Sequence, residues 1–85
     1  MYVVQISSKA VKLLKNLPQD YRNMIKQRII SLQDNPNPRG SITLVGSDSC
    51  FRIRIGPFRV QYKVLETEKL ILVYKISRRS ETTYS

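Results

Sequence analysis

Residues 50–63 read CFRIRIGPFRVQYK, and this stretch decides the fold. Apolar and polar side chains alternate on both sides of Gly56-Pro57, which is typical of two half-buried strands joined by a tight turn. With a two-residue turn, one face carries only apolar pairs: Ile55 with Phe58, Ile53 with Val60, and Phe51 with Tyr62. The pattern therefore predicts an antiparallel hairpin with one face directed into a core.

The other face of this hairpin is strongly basic. Arg54 is expected opposite Arg59, and Arg52 opposite Gln61, with Lys63 beyond them. Like charges placed directly across a hairpin destabilise it by up to about 1 kcal/mol. Such a cluster favours a face that binds an anion. A solvated edge whose arginines serve solubility is the alternative, and the hairpin alone does not separate the two.

The chain of 85 residues predicts a single domain, residues 1–85. Its 15 Lys and Arg against 6 Asp and Glu give a formal net charge of +9. Basic chains of this size often bind nucleic acids, because neutralising phosphates releases counterions. Membrane surfaces and acidic protein segments are the competing partners, although no run approaches the roughly 18 apolar residues of a membrane span.

The N-terminus lacks the apolar run and cleavage site of a signal peptide, so we expect a cytoplasmic protein. A single cysteine, Cys50, cannot form an internal disulfide, which fits a reducing compartment. The chain has no histidine, so a zinc site built from His and Cys is excluded. No cofactor is expected.

Around the hairpin, the chain predicts an α+β domain with the order β-α-α-β-β-β-β. The other predicted elements are a strand over 2–6, a helix between an N-cap at Ser7-Ser8 and a break at Asn16-Leu17-Pro18, a second helix over 19–33, a strand over 41–45 and a strand over 70–76. The last of these, LILVYKI, is apolar on both faces and should lie inside the sheet rather than at its edge. We expect the helices to pack as an antiparallel pair on a mainly antiparallel sheet of four or five strands. Their lysines are interpreted as a solvated outer face.

Without histidine, proton transfer would fall to tyrosine, lysine, cysteine or a carboxylate. Arginine stabilises phosphate charge but is a poor general base. The six acidic residues are scattered, which argues against two-carboxylate or two-metal chemistry. Cys50 has no histidine to activate it, so a structural role is favoured over a nucleophilic one.

The remaining candidates are Arg52, Arg54, Arg59, Arg78, Arg79 and Tyr84. If the fifth strand lies beside the fourth, Arg78 and Arg79 emerge at one end of the sheet, near the basic face. Cleavage of RNA by its own 2′-hydroxyl needs a base, positive charge at the phosphate and an acid for the leaving oxygen. Arginines and one tyrosine supply the charge strongly and the proton transfers weakly. Such an enzyme should be slow unless something else positions the RNA.

Several stretches resemble the RelE/ParE superfamily of bacterial toxins: KNLPQDYRNMIKQRI at 15–29, FRIRIGPFRVQYKV at 51–64, LILVYKI at 70–76 and RRSETTY at 78–84. The resemblance implies a toxin held inactive by an antitoxin encoded beside it. It also implies that RelE-type members enter the ribosomal A site and cut the mRNA there, with little activity on free RNA.

Carried over residue by residue, the resemblance places Arg52 and Arg54 at the basic positions of one strand. Arg59 falls on the phosphate-binding arginine of the next strand, Arg78 on the arginine after the last strand, and Tyr84 on the C-terminal tyrosine. The best-known RelE pattern has lysines where this chain has Arg52 and Arg54. Arginine keeps the charge there but donates a proton less readily.

The resemblance thus favours a ribosome-dependent mRNA endonuclease. Its implied catalytic residues are Arg52, Arg54, Arg59, Arg78 and Tyr84, with Lys63 and Arg79 as RNA contacts. Its partners would be the ribosome, mRNA and an acidic, partly disordered antitoxin that folds on binding to form a hetero-oligomer. Two alternatives stay open: a ParE-like, non-enzymatic inhibitor of DNA gyrase, and a plain basic nucleic-acid-binding domain.

Overall fold

The computed structural model describes residues 1–44, 46 and 49–78. Its elements, in chain order, are β1 (Val3–Ile6), α1 (Ser8–Lys15), α2 (Gln19–Ser31), β2 (Ile42–Thr43), β3 (Cys50–Ile55), β4 (Phe58–Leu65) and β5 (Leu70–Arg78). The five strands form one sheet in the order β1-β5-β4-β3-β2. Only β1 and β5 run parallel, and the other pairs are antiparallel. The predicted α+β class and element order are confirmed.

The bounds of several elements differ from the prediction. Of the strand predicted over 41–45, the structure describes Ile42–Thr43 as strand, and Val45 lies outside the described residues. Strand β5 runs two residues beyond 76, to Arg78. Helix α2 ends at Ser31 rather than 33, because the backbone tightens there. The amides of Leu32 and Gln33 donate to carbonyls three residues back, which is the pattern of a 3₁₀ turn.

The register of the β3–β4 hairpin is the predicted one. Ile55 pairs with Phe58 and Arg54 with Arg59, and the pairing continues to the far end of the hairpin. Gly56 has a φ of +57°, which a two-residue hairpin turn requires at its first position. Because the ring of Pro57 fixes a negative φ at the second position, the turn is of type II′ rather than I′.

One face of the sheet carries the core. Helix α1 contacts β5 and helix α2 contacts β3. The buried cluster consists of Ala10, Leu14, Ile25, Ile29, Leu32, Ile53, Ile55, Phe58, Val60, Tyr62, Val64, Ile71, Val73 and Ile76. Neither helix covers the other face, called the open face below. Across the hairpin it carries the polar residues Arg52, Arg54, Arg59, Gln61 and Lys63.

A β-bulge lies in the middle of β5. Gln61 pairs with Lys75 and Tyr62 with Val73, so Tyr74 has no partner on β4. An extra residue reverses the alternation of side chains beyond it. Val73 before the bulge and Ile76 after it therefore both face the core, and both are buried. The bulge thus decides which face of the sheet each later residue of β5 occupies.

Strand β5 lies between β1 and β4, as its two-sided apolar character predicted. No helix in the described part of the chain is both long and apolar enough to cross a membrane.

Candidate nucleic-acid interface

A cleft at one edge of the sheet gathers five arginines. It has a volume of about 270 Å³ and is lined by Arg28, Arg39, Gly40, Ile42, Arg52, Ile53, Arg54 and Arg59. We call it the arginine cleft. It contains three of the residues that the sequence singled out, Arg52, Arg54 and Arg59.

The hairpin places those three arginines together through its register. Arg52 and Arg54 are two residues apart on β3 and so share the open face, and Arg59 pairs directly with Arg54. Arg54 is exposed, whereas Arg52 and Arg59 are partly buried. Strand β2 pairs only with Phe51 and Arg52, so β3 extends past its neighbour where the cleft lies. The short β2 therefore leaves room for the cleft.

The other two arginines come from outside the hairpin and were not among the predicted site residues. Arg28 lies one helical turn after Met24 on α2, and the Met24 side chain lies against Gly56. That flank of the helix therefore faces the hairpin. Arg39 follows Pro38 in the segment that leads into β2. A sequence signal that could have pointed to Arg28 is its position three residues after Ile25, which the helix buries, because residues three apart share one side of a helix.

The cleft is strongly positive. Among the described residues that line it there is no Asp or Glu. Guanidinium groups stay protonated throughout the physiological range, so all five charges are permanent. Arginine also presents paired N–H donors that match the oxygens of a phosphate. The arrangement can bind phosphodiesters and stabilise charge on them, but its lining offers no group that transfers protons near neutral pH.

Arg78 lies on the other face of the sheet. It pairs with Phe58, and its guanidinium carbon is 5.2 Å from the centre of the Phe58 ring, a cation–π contact. Phe58 belongs to the core, so this contact is on the side that the helices cover. The cause is the bulge at Tyr74, which turns Ser77 toward the open face and Arg78 away from it.

Lys63 does not line the cleft. It is exposed on the open face, at the end of the hairpin farthest from its turn, where it pairs with Cys50. Arg79 and Tyr84 lie outside the described residues. Tyr74 has a pKa raised above its ordinary value, first by burial and then by the neighbouring Cys50. No tyrosine in the described part of the chain lines the cleft.

Comparison with known proteins assigns the family. The model of the family described as "ParE toxin of type II toxin-antitoxin system, parDE" matches residues 4–83. The RelE1 protein of Methanocaldococcus jannaschii is 43% identical over 79 residues, which cover 89% of this chain and 88% of that protein. The chain belongs to the RelE/ParE family of toxins. It is therefore a RelE-family toxin of a toxin–antitoxin system.

Solved structures of RelE proteins have the fold of this RelE-family toxin. The match to the archaeal RelE–RelB complex from Pyrococcus horikoshii has a TM-score of 0.85 and 30% identity, covering 95% of this chain and 98% of that one. The isolated E. coli RelE toxin superimposes with a TM-score of 0.80 at 19% identity, over 92% of this chain and 84% of that one. The second likeness concerns the fold alone.

Proposed function

We propose that this RelE-family toxin is a ribosome-dependent endoribonuclease that cuts mRNA in the ribosomal A site. The observation that carries the proposal is the arginine cleft, where Arg52, Arg54 and Arg59 converge and the part of the lining that the structure describes holds no carboxylate. An uncompensated cluster of this kind suits a phosphodiester whose charge grows during the reaction. The activity belongs to the cytoplasm, where translation takes place.

The reaction is an attack of a ribose 2′-hydroxyl on the phosphorus that follows it. The 2′-oxygen–phosphorus bond forms as the phosphorus–5′-oxygen bond breaks, leaving a 2′,3′-cyclic phosphate and a 5′-hydroxyl. The proton of the 2′-hydroxyl passes to a base, and the 5′-oxygen takes a proton from an acid. Arg52, Arg54 and Arg59 would stabilise the pentavalent phosphate, and Tyr84 would assist proton transfer.

The described lining of the cleft is poorly suited to proton transfer, which supports the proposal that cleavage depends on the ribosome. This lining consists of arginines, two isoleucines and a glycine. None of these is a general acid or base near neutral pH. Catalysis would then depend on holding the 2′-oxygen in line with the leaving oxygen, and a ribosome-bound codon provides that alignment. Free RNA should be cut slowly.

A catalytic role for Arg78 requires movement. Its strand neighbour Ser77 pairs with Arg59, so the backbone of Arg78 is close to the hairpin arginines. Its side chain would have to leave Phe58 and pass around the end of the sheet to reach the same phosphate. Lys63, which lies outside the cleft, and Arg79 are proposed as further RNA contacts.

Primer extension on a translated mRNA tests the proposal, with purified ribosomes and with ribosomes omitted. Cuts that appear only on ribosomes and follow the reading frame are expected. Arg59→Gln and Tyr84→Phe should each reduce them strongly, whereas Lys26→Gln should not, since Lys26 lies on α2 in a groove with β1 residues. Full cleavage by both site variants would refute the assignment of these residues.

A second candidate is inhibition of DNA gyrase without catalysis. Two observations favour it: the matching family model is that of ParE toxins, and Arg78 lies outside the cleft. In this case the arginine cleft would be a binding surface. A supercoiling assay with purified gyrase separates the candidates. Inhibition of gyrase by protein that makes no ribosomal cuts would establish the second one.

We also propose an antitoxin partner that is acidic and partly disordered before it binds. The P. horikoshii relative, 30% identical, was crystallised as a complex of RelE with RelB. The formal charge of +9 on this chain favours an acidic partner. Purification of the toxin with the product of the neighbouring gene should yield a hetero-oligomer that does not cleave. A complex that keeps full cleavage activity would contradict the proposal.

A further inference from the structure

We propose that Arg28 and Arg39 bind a second phosphate of the RNA strand, next to the one held by the hairpin arginines. This inference rests on the proposed function, because it assumes that RNA occupies the arginine cleft. It assigns a role to two residues outside the hairpin and makes the cleft a site for a stretch of single-stranded backbone rather than for one phosphate.

The charge balance of the cleft carries the inference. A phosphodiester has one negative charge, and the hairpin already offers three guanidinium groups. Two more arginines around the same single phosphate would mainly repel the first three. Five arginines are better neutralised by consecutive phosphates along a strand. The chain also supplies them in two groups, three from the β3–β4 hairpin and two from outside it.

Within the described part of the chain, Arg28 and Arg39 have no structural role strong enough to explain their position. Both are exposed. The cation–π contacts found within the described residues involve Lys69 and Arg78 instead. Arg28 lies in the last turn of α2, where a positive charge stabilises the helix dipole by about 0.3–1 kcal/mol. Arg39 lies outside any helix, so this explanation does not extend to it.

Helix α2 offers a matched control. Lys26 is exposed on the opposite flank, in a groove with Val4 and Ile6 of β1. Lys26→Gln removes one positive charge from the same helix without touching the cleft. It therefore corrects for the loss of net charge, which weakens binding to any polyanion.

The first measurement is fluorescence anisotropy with a short, labelled 2′-O-methyl RNA oligonucleotide, which cannot be cut. Binding is titrated over a range of salt concentrations. For single strands, the slope of log Kobs against log salt changes by roughly 0.7 for each phosphate contact. The double variant Arg28→Gln/Arg39→Gln should show a salt slope that is shallower than that of wild type by roughly 0.7, because the two arginines together hold one phosphate. Lys26→Gln should change it much less.

The second measurement is the ribosomal cleavage assay at increasing toxin concentration. The double variant should need several-fold more protein for half-maximal cutting, while the cut positions and the rate at saturation stay the same. This split is expected of residues that hold the strand and do not touch the reacting atoms.

The two measurements separate failure of this inference from failure of the proposed function. Absence of ribosomal cuts by wild type overturns the proposed function, and the salt slope still decides whether Arg28 and Arg39 hold a phosphate. Cuts by wild type together with an unchanged slope and half-saturation in the double variant overturn the inference alone. So does a slope change of equal size in Lys26→Gln, because binding would then reflect overall charge.

Discussion

Replacement of Arg54 by glutamine should make the free protein more stable, although Arg54 lies in the candidate site. Arg54 and Arg59 are direct partners across the β3–β4 hairpin. Like charges in that position destabilise a strand pair by about 0.2–1 kcal/mol, so the variant should gain about 0.5 kcal/mol. For a domain of this size, that corresponds to a rise in Tm of roughly 2–4 °C.

Thermal unfolding followed by circular dichroism measures this gain, at low ionic strength and in concentrated salt. The Debye length is about 10 Å at 0.1 M salt and about 3 Å at 1 M, so the gain should largely disappear at the higher concentration. Lys63→Gln is the control on the same hairpin. Lys63 pairs with Cys50 on one side and Leu72 on the other, so it has no charge directly opposite. Its replacement should leave Tm nearly unchanged.

Two outcomes would refute the reasoning. A lower Tm for Arg54→Gln at low salt would mean that the arginine pair stabilises the hairpin. An equal gain at both salt concentrations would mean that the effect is not electrostatic. The expected result has a functional counterpart, since the same variant should bind the 2′-O-methyl RNA more weakly than wild type. Stability and binding would then change in opposite directions.

Three further predictions concern the scaffold. Burial raises the pKa of Tyr62 in the folded protein to about 12. The unfolded chain therefore loses the Tyr62 proton at a lower pH than the folded protein does, and the free energy of unfolding should fall between about pH 10 and 12. Tyr62→Phe should lower the free energy of unfolding in urea by about 1 kcal/mol at neutral pH, because it removes the hydrogen bond that Tyr62 donates to the Pro36 carbonyl. The variant should not show the alkaline fall in stability. Gly56→Ala should cost about 1–2 kcal/mol, because φ is +57° and the Met24 side chain must move. Ser7→Ala should cost about 1 kcal/mol by removing the α1 N-cap, and Ser7→Asn should cost much less in the same assay.

The hairpin could be predicted residue by residue because its alternation is complete. Shifting β3 by one residue against β4 would turn Ile53 and Ile55 toward solvent while Val60 stayed in the core, so only one pairing buries the apolar side chains of both strands. The two-residue turn at Gly56-Pro57 fixes the same register independently. The positions of Arg52, Arg54 and Arg59 followed directly from this local pattern.

The remaining arginines of the cleft could not be placed in the same way. Arg28 reaches the cleft because α2 packs with its Met24 side against the hairpin turn. That packing is a tertiary contact between segments about thirty residues apart in the sequence, and no local period encodes it. Arg39 lies in an irregular segment whose path depends on where the short β2 pairs with β3.

The position of Arg78 shows how one local irregularity changes the interpretation of a site. In an unbroken β5, Ile71 and Val73 would be followed on the core face by Lys75, and Arg78 would lie with Arg59 on the open face. The bulge at Tyr74 instead places Ile76 in the core and Arg78 over Phe58. The spacing of Ile76 from Val73 is the sequence signal, since three residues do not fit a period of two. Because β5 has apolar residues on both faces, this change in the alternation does not stand out in its sequence.

The bulge also bears on the choice between the two candidate functions. Cleavage needs positive charge on the reacting phosphate from more than one side, and Arg78 can add to the hairpin arginines only if it leaves Phe58. Its contact with the ring is worth about 0.5–1 kcal/mol at an exposed site, so a bound phosphate would easily outcompete it. A gyrase inhibitor would not require this movement. The face on which Arg78 lies when the arginine cleft is occupied therefore distinguishes a catalytic site from a binding surface.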